Sequence, residues 1–388
     1  MLVQLIAPVA GHEFAPVFVA LELSRSKWLV GVGAPQRWAV RRHEVEGGDL
    51  DGLLALLRRV AADEETRAGL PAKVHVCFEA GRDGHWLYRA LKAAGYEAYE
   101  IDPASVAVDR RARRVKSDGV DVEKLVRTLS RLVRGEYDAC RVVEVPTPEE
   151  EDAKRPHREY ERLVKEQTAH RNRIKALLFA QGVRDFDPMA RDRLERLAAL
   201  PILPKLKAEL GRERRRLAKI IDDIAEVEAE MAAQIVPAKR ADRKRAVASP
   251  PSHVQAKAAQ LLKLKSIGVH FSTVLAGEVF YRTFRNRRGV GQYIGLAPSP
   301  FQSGDMARDQ GIAKAGNGRA RKAMIELAWL WRRHQPDSAL SKWFRERVGE
   351  KGRARRIAIV ALARKLAVAL WRYLETGLVP EGAVLKRA

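Results

Sequence analysis

Two aspartates three residues apart, Asp118 and Asp121, follow a run of arginines in the stretch RRVKSDGVDVEKL, 113–125. At positions i and i+3 of a helix they share one face, and a helix N-terminus stabilises negative charge there. Two more acids stand at expected strand ends: Glu22 closes the first strand pattern and Glu79 the fourth. Carboxylates from separate elements that converge on one point can hold two Mg²⁺ (or Mn²⁺) ions roughly 4 Å apart. Such a pair clamps the attacking and leaving oxygens of a phosphodiester. Each acid taken singly also has a plain structural reading, Asp118 as a helix cap and Glu79 as a solvated strand end. The adjacent cations Arg110, Arg111, Arg113, Arg114 and Lys116 suit a phosphate-binding rim, or simply a solvated charged loop.

A second kind of chemistry is offered by SPFQSGDMARD, which contains Ser299 and Ser303. A serine before glycine in a loop is by default turn chemistry. To act as a nucleophile it needs one group to help remove its proton and another to hold the phosphate. No His–Asp pair is placed by motif to activate it, and His85 and His334 have no motif partners. His85, beside Trp86, reads as a packed helix-start residue.

The rest of the chain sets the context for these groups. Formal net charge is +23 over 388 residues, with a pI near 10.3. An excess of that size speaks of a polyanionic partner, nucleic acid first, rather than of fold. Hydrophobic residues make up 46% and charged residues 31%, which suits a folded chain with room for two or three domains. No apolar run approaches the ~20 residues that span a bilayer. The opening MLVQLIAPVAGHEF has no basic n-region, so no signal peptide is expected. The two cysteines, Cys77 and Cys140, lack metal-ligand spacing and suit a reducing cytosol; the expected location is the cytoplasm, against the nucleoid when DNA is bound.

The elements that must position the acids are legible in the first region, 1–147. Segments 17–23, 27–33 and 37–45 read as consecutive strands, 51–64 as a helix, 73–80 as a strand and 84–95 as a helix. A strand over 96–102 and a helix over 117–135 follow. A three-strand meander followed by α-β-α-β-α argues for a mixed sheet with helices on its faces. That order is seen in ribonuclease-H-like nucleases, of which the RuvC type is one, although many α/β domains share pieces of it. The second region, 148–245, reads as long charged helices over 158–182 and 205–235, then a linker rich in Pro, Ala and basic residues. Leu206, Leu210, Leu217, Ile221, Ile224, Met231 and Ile235 fall near heptad spacing, interrupted at Glu213 or Arg214. An antiparallel hairpin and an intermolecular coiled coil both satisfy that stripe. The third region, 246–388, reads as mostly helical, with a helix–Gly turn–helix over 261–279 and a loop leading into an amphipathic helix that ends near His334.

Three successive segments, ALELSRSKWLV, FEAGRDGHWLYRALKAAGYEAYEIDPASV and RRARRVKSDGVDVEKL, resemble the N-terminal motifs of the insertion-sequence 110 family of DEDD transposases. HRNRIKALLFAQG resembles that family's N-R-x-x-x-L-L helix. SIGVHFSTVLAGEV, FRNRRGVGQYIGLAPSPFQSGD and IAKAGNGRARKAMIELAW resemble its C-terminal transposase domain. The resemblance covers most of the chain in the right order.

It implies a RuvC-type catalytic domain, a helical coiled-coil segment and a helical domain that carries a serine nucleophile. Carried over residue by residue, it makes Glu22, Glu79, Asp118 and Asp121 the acidic ligands of Mg²⁺, and Ser303 the nucleophile. Glu22 departs from the family, which has Asp there. The extra methylene moves the carboxylate by about a C–C bond length, and octahedral Mg²⁺ is demanding about such shifts. Asp102 stands where the family often has Asn. Near the serine, Arg308, Lys314, Arg319, Arg321 and Lys322 would hold DNA phosphates, and Gly304, Gly316 and Gly318 would let the backbone approach the strand. The resemblance further implies donor and target DNA as substrates, a structured bridge RNA that selects both, and a dimer or tetramer assembled through residues 158–235. Two other readings of the same residues are a metal-dependent junction nuclease and a decayed, non-catalytic nucleic-acid-binding protein.

Overall fold

The computed structural model describes residues 13–35, 39–81, 84–106, 118–235, 252–303, 306–348 and 353–386; the side chains at 118, 300–303, 306–310 and 353 lie outside that description. The chain divides into two compact units, Met1–Thr147 and Pro148–Ala388. The helical and C-terminal segments distinguished in the sequence fall together in the second.

In the first unit, β1 (Ala15–Leu23), β2 (Lys27–Gly33) and β3 (Arg41–Glu46) form the antiparallel meander. Helix α1 (Leu50–Ala68) crosses to β4 (Ala72–Glu79), which lies parallel to β1, and α2 (Gly84–Ala93) crosses to β5 (Glu97–Ile101), parallel to β4. The sheet order is β3-β2-β1-β4-β5. Strand alternation sorts the residues to two faces. Val17, Val19, Leu21, Val76 and Phe78 pack with Leu53 and Leu57 of α1 and with Leu87 and Leu91 of α2. Phe18, Ala20 and Cys77 face the other way, onto Val122, Leu125, Val126 and Leu129 of α3 (Asp118–Val133). Helix α1 runs a turn beyond the expected end at residue 64, until Gly69 takes φ 69° and closes it.

The second unit begins with the short helix α4 (Pro148–Asp152) and the long α5 (Arg155–Phe179). After α6 (Arg193–Ala199), α7 (Pro204–Ile235) returns antiparallel along α5, with His170 against Glu213 and Arg173 against Glu209. The apolar stripe is thus covered within the chain, by Leu163, Ile174 and Leu178 of α5. Glu213, which breaks the stripe, is itself buried and accepts from His170 Nδ1 at 2.6 Å and Arg216 Nη1 at 2.6 Å. Those hydrogen bonds, His170's first, hold its carboxyl below the usual range. Most of the basic linker, 236–251, lies outside the described residues.

Helices α8 (His253–Leu262), α9 (Val269–Glu278) and α10 (Arg287–Tyr293) lead to β6 (Pro298–Ser303) and β7 (Met306–Ile312), then α11 (Gly318–His334), α12 (Ala339–Arg347) and α13 (Arg353–Thr376). Their core gathers Leu275, Phe280, Met324, Trp331, Leu362 and Leu366. The stretch expected as a loop before α11 is instead an antiparallel ribbon. Ser303 pairs with Met306, a separation along the chain that favours hairpins. Pro298 and Pro300 hid it, since proline lacks the N–H that marks a ladder residue. No helix among the described residues is long and apolar enough to cross a membrane.

Candidate functional site

The register of the first sheet decides where its acids go. β1 and β4 run parallel with Leu21 opposite Phe78, so the next pair along is Glu22 and Glu79. Both fall on the alternation of Phe18, Ala20 and Cys77, hence on the α3 face. Neighbouring strands lie about 4.8 Å apart, so these carboxylates arise from adjacent positions, and both are half-buried.

Helix α3 is brought to the same end of the sheet by two glycines. Gly31 and Gly33 of β2 stand opposite Ala20 and Phe18. A Cβ at Gly31 would lie 2.0 Å from Val122 Cγ1, and one at Gly33 2.7 Å from Val126 Cγ1. The helix therefore steps from the level of Ala20 to that of Phe18 between Val122 and Val126. One turn before Val122 is position 118, at the level of Glu22. Asp121 lies one turn before Leu125, which is 1% exposed in the core. The first turn of α3 thus meets the strand ends that carry Glu22 and Glu79.

Among the described residues no three His, Cys, Asp or Glu side chains gather closely enough to hold a metal ion; the side chain of Asp118 is outside that set. The donor chemistry nevertheless fits a hard divalent cation, since two carboxylates on adjacent parallel strands and a helix N-terminus with acids at positions 118 and 121 supply only oxygen ligands. The cations expected as a rim, Arg110, Arg111, Arg113, Arg114 and Lys116, lie outside the described residues. Arg42 of β3, which the sequence did not single out, donates to Glu123 Oε1 and sits against Gly119, where a Cβ would come within 2.9 Å of its guanidinium. Asp102 turns out to be a capping residue: its Oδ1 accepts from Ala104 N at 3.0 Å. His85 packs as expected at the start of α2, with Nδ1 2.9 Å from Glu100, itself 1% exposed.

In the second unit Ser303 ends β6; its side chain and that of Arg308 fall outside the described set, as does the whole of Gly304. The segment between the ribbon and α11 is held by an ion cluster that no local pattern announced. Glu278, at the end of α9, is 4% exposed. Its Oε1 lies 3.0 Å from His157 Nε2 and accepts from Arg158 Nε at 2.8 Å, and its Oε2 accepts from Asn317 Nδ2 at 3.0 Å. Burial opposes ionisation, but the hydrogen bonds from His157 and Arg158 outweigh it and hold the Glu278 carboxyl well below the usual range. Asn317 also caps α11, accepting from Arg319 N and Ala320 N. Arg319, expected to hold a DNA phosphate, pairs with Glu161 at 2.8 Å and with Glu278 at 3.6 Å.

Gly316 has φ 102°, and a Cβ there would lie 2.2 Å from Tyr293 O. Its freedom is therefore used against α10. Lys314 takes φ 56°, which costs a non-glycine residue about 1–2 kcal/mol; its carbonyl accepts from Arg321 Nη1 at 2.8 Å. Lys322 stands 3.8 Å from Glu326 on the exposed side of α11. Gly318 opens α11. Sequence reasoning missed Glu278, His157 and Asn317. Their only advance signal was polarity in otherwise apolar or capping contexts, because His157 and Glu278 are 121 residues apart.

Comparison with known proteins bears on both units. Residues 258–343 match the family model described as "Transposase IS116/IS110/IS902 family". A protein of Sinorhizobium fredii provisionally named transposase y4rJ is 45% identical over 383 residues, covering 96% of each chain. The transposase for insertion sequence element IS1111A of Coxiella burnetii is 27% identical over 347 residues, 84% of this chain and 85% of its own. The transposase for insertion sequence element IS1328 of Yersinia enterocolitica is 22% identical over 303 residues, 76% of this chain and 82% of its own.

Proposed function

The chain belongs to the IS116/IS110/IS902 family of insertion-sequence transposases, enzymes that cut and rejoin DNA, and on that premise we propose that it does so through a covalent link between Ser303 and a DNA phosphate, with a metal ion held by the acids of the first unit. The observation that carries this reading is the side-by-side register of Glu22 and Glu79 at the end of the sheet where α3 begins. The sheet order β3-β2-β1-β4-β5, with three antiparallel strands followed by two parallel ones, supports a RuvC-like reading of the unit.

Glu22, Glu79, Asp118 and Asp121 would hold Mg²⁺. When bound, that ion would offset the charge that develops on the phosphate in the transition state. In the first step the Ser303 oxygen bonds to phosphorus, the P–O3′ bond breaks, and the proton leaves the serine while the 3′ oxygen gains one. In the second, a 3′-hydroxyl of the exchanged strand attacks the seryl phosphodiester and restores the serine. No bond is hydrolysed overall, so the phosphodiester energy is kept. A structured guide RNA would select donor and target by base pairing while the protein grips backbones, for which the net charge of +23 is suited. The assembly that acts would be a dimer or a tetramer.

Denaturing gels of the protein incubated with element-end DNA and Mg²⁺ test the chemistry. A protein–DNA adduct that survives boiling in detergent and is absent in Ser303→Ala is expected. Cutting that persists without an adduct in Ser303→Ala would mean a nuclease that uses metal-activated water. Sequencing of RNA copurified from the native host tests the guide: one structured species encoded beside the gene is expected, and a heterogeneous pool would count against it.

A further inference from the structure

One surface of the second unit takes no part in the site described above. A groove of about 1050 Å³ runs along α13, between the base of the β6–β7 ribbon and the C-terminal segment. Its floor is aliphatic, formed by Ile357, Ala361 and Val368 along one face of α13, and Leu378 and Val379 wall one side. Ile357 is 62% exposed and Leu378 74%, unusual for side chains of that size with nothing over them. Five cations border it, Arg287, Arg356, Arg364, Lys365 and Arg372, against a single acid, Glu381. None of the four arginines has an ion-pair partner among the described residues, whereas Lys365 lies over the Trp343 ring at 4.7 Å.

We propose that this groove binds an unpaired strand of DNA, its phosphates on the arginine rim and its sugars and base faces on the aliphatic floor. The charge selects a polyanion and disfavours a second copy of this chain, whose own net charge is +23. The floor selects between forms of nucleic acid. A duplex keeps its base faces stacked and presents phosphates to such a surface, leaving the apolar floor uncovered. An unpaired strand offers bases that pack on apolar side chains and stack on guanidinium planes. The strand is assigned as DNA because DNA is what a transposase cuts and rejoins, and an RNA strand is the control that tests the assignment.

The position gives the groove a use. Pro298, Gly311 and Ile312, at the base of the ribbon, line one end of it, and the five residue steps from Pro298 to Ser303 span about 17 Å. A strand freed at the serine would have a bound path leading away from it. Only this last point rests on the serine reading; the binding itself does not.

Equilibrium binding by fluorescence anisotropy, in EDTA and in the Ser303→Ala background so that no strand is cut, separates the two. The probes are a labelled 20-nucleotide DNA strand, a hairpin duplex of the same composition, and an RNA strand of the same sequence. Arg356→Gln with Arg372→Gln, both at exposed positions, is expected to weaken single-stranded DNA binding about tenfold or more. Duplex binding should change less than about threefold. The single-strand salt slope should fall by about 1.4, the value for two phosphates that no longer have a cation against them. Val368→Gln should weaken single-strand binding without altering that slope. Melting temperatures within a few degrees of the parent confirm that each variant is folded. Equal losses on duplex and single strand, no loss on either, or a larger loss on RNA would overturn the proposal. So would a change in sedimentation mass with nucleic-acid binding unaltered, which would make the groove a contact between copies.

Discussion

In the first unit the acids are placed by the main chain, whereas in the second the start of α11 is placed by side chains. Glu22 and Glu79 owe their proximity to the parallel ladder of β1 and β4, and α3 owes its approach to the absence of side chains at Gly31 and Gly33. Neither arrangement depends on what the carboxylates themselves bind. The start of α11 depends instead on Glu278, whose ionised carboxyl ties α5, α9 and α11 together through His157, Arg158 and Asn317. A site built on register should tolerate loss of its functional groups without unfolding. A segment tied by a buried charge should fail structurally when that one charge is removed.

The sharpest test of the contrast sets one substitution against another. Glu278→Ala leaves Arg158 and a fully buried His157 without their carboxylate, and loss of one partner of a buried pair costs about 3–5 kcal/mol. Urea unfolding of the second unit should show a loss of that size. Glu79→Gln should leave unfolding nearly unchanged while DNA joining, followed in a strand-exchange assay, drops by about a thousandfold, or ~4 kcal/mol of transition-state stabilisation. A large stability loss in Glu79→Gln would break the comparison.

Next in size is Gly31→Ala. A Cβ 2.0 Å from Val122 Cγ1 must push α3 off the sheet, and overpacking of this kind costs about 1–3 kcal/mol. Because that shift moves the first turn of α3, joining should fall as well, and Gly31→Ala with Val122→Ala should recover part of both. Glu22→Asp, which withdraws the carboxylate by one methylene, should change the rate and the preference between Mg²⁺ and Mn²⁺ with no more than about 0.5 kcal/mol of stability. A loss of joining there would say that the site is built around the longer side chain.

The smallest effect concerns acid. Burial lowers the pKa of His270, beside Tyr160 in the second unit, to about 4, and burial does the same to His75 in the first. Each is neutral when folded and titrates near 6.5 when unfolded. Their contribution is complete above about pH 6.5 and is lost as pH falls from there toward 4, because the unfolded chain takes up the protons first. Glu278 has the opposite reference: its folded pKa is depressed, so its stabilisation holds above the unfolded value near 4.5 and is lost only below it. Chemical denaturation between pH 7 and 5 should therefore show a decline that His270→Phe flattens in the second unit and His75→Phe in the first. An unchanged slope in both variants would remove burial of these rings as its cause.

Much of the first unit was readable because its signals are local. Strand alternation at Val17, Val19 and Leu21 needs no distant partner to be recognised. The α5–α7 helices were equally plain, but their partnership was not, since one apolar stripe fits a neighbour in the same chain or in another. What resolved it was Glu213 of the returning helix, buried against His170 of α5. The β6–β7 ribbon was missed because two prolines and a Ser-Gly step carry loop chemistry in any short window. The partners of Arg319 were hidden for a related reason: Glu161 and Glu278, which face it, lie 158 and 41 residues away along the chain.

The sequence by itself determined which residues are acidic at strand ends, which segments are helix or strand, and the family to which the chain belongs, because periodicity and motif are properties of neighbours along the chain. Only the tertiary structure decided that Glu22 and Glu79 stand level, that α3 meets them, and that Glu278 holds the start of α11. Those outcomes depend on register and on pairings across more than a hundred residues. There, backbone hydrogen bonding and the high cost of an unpaired buried charge choose the partners, and no local pattern encodes the choice.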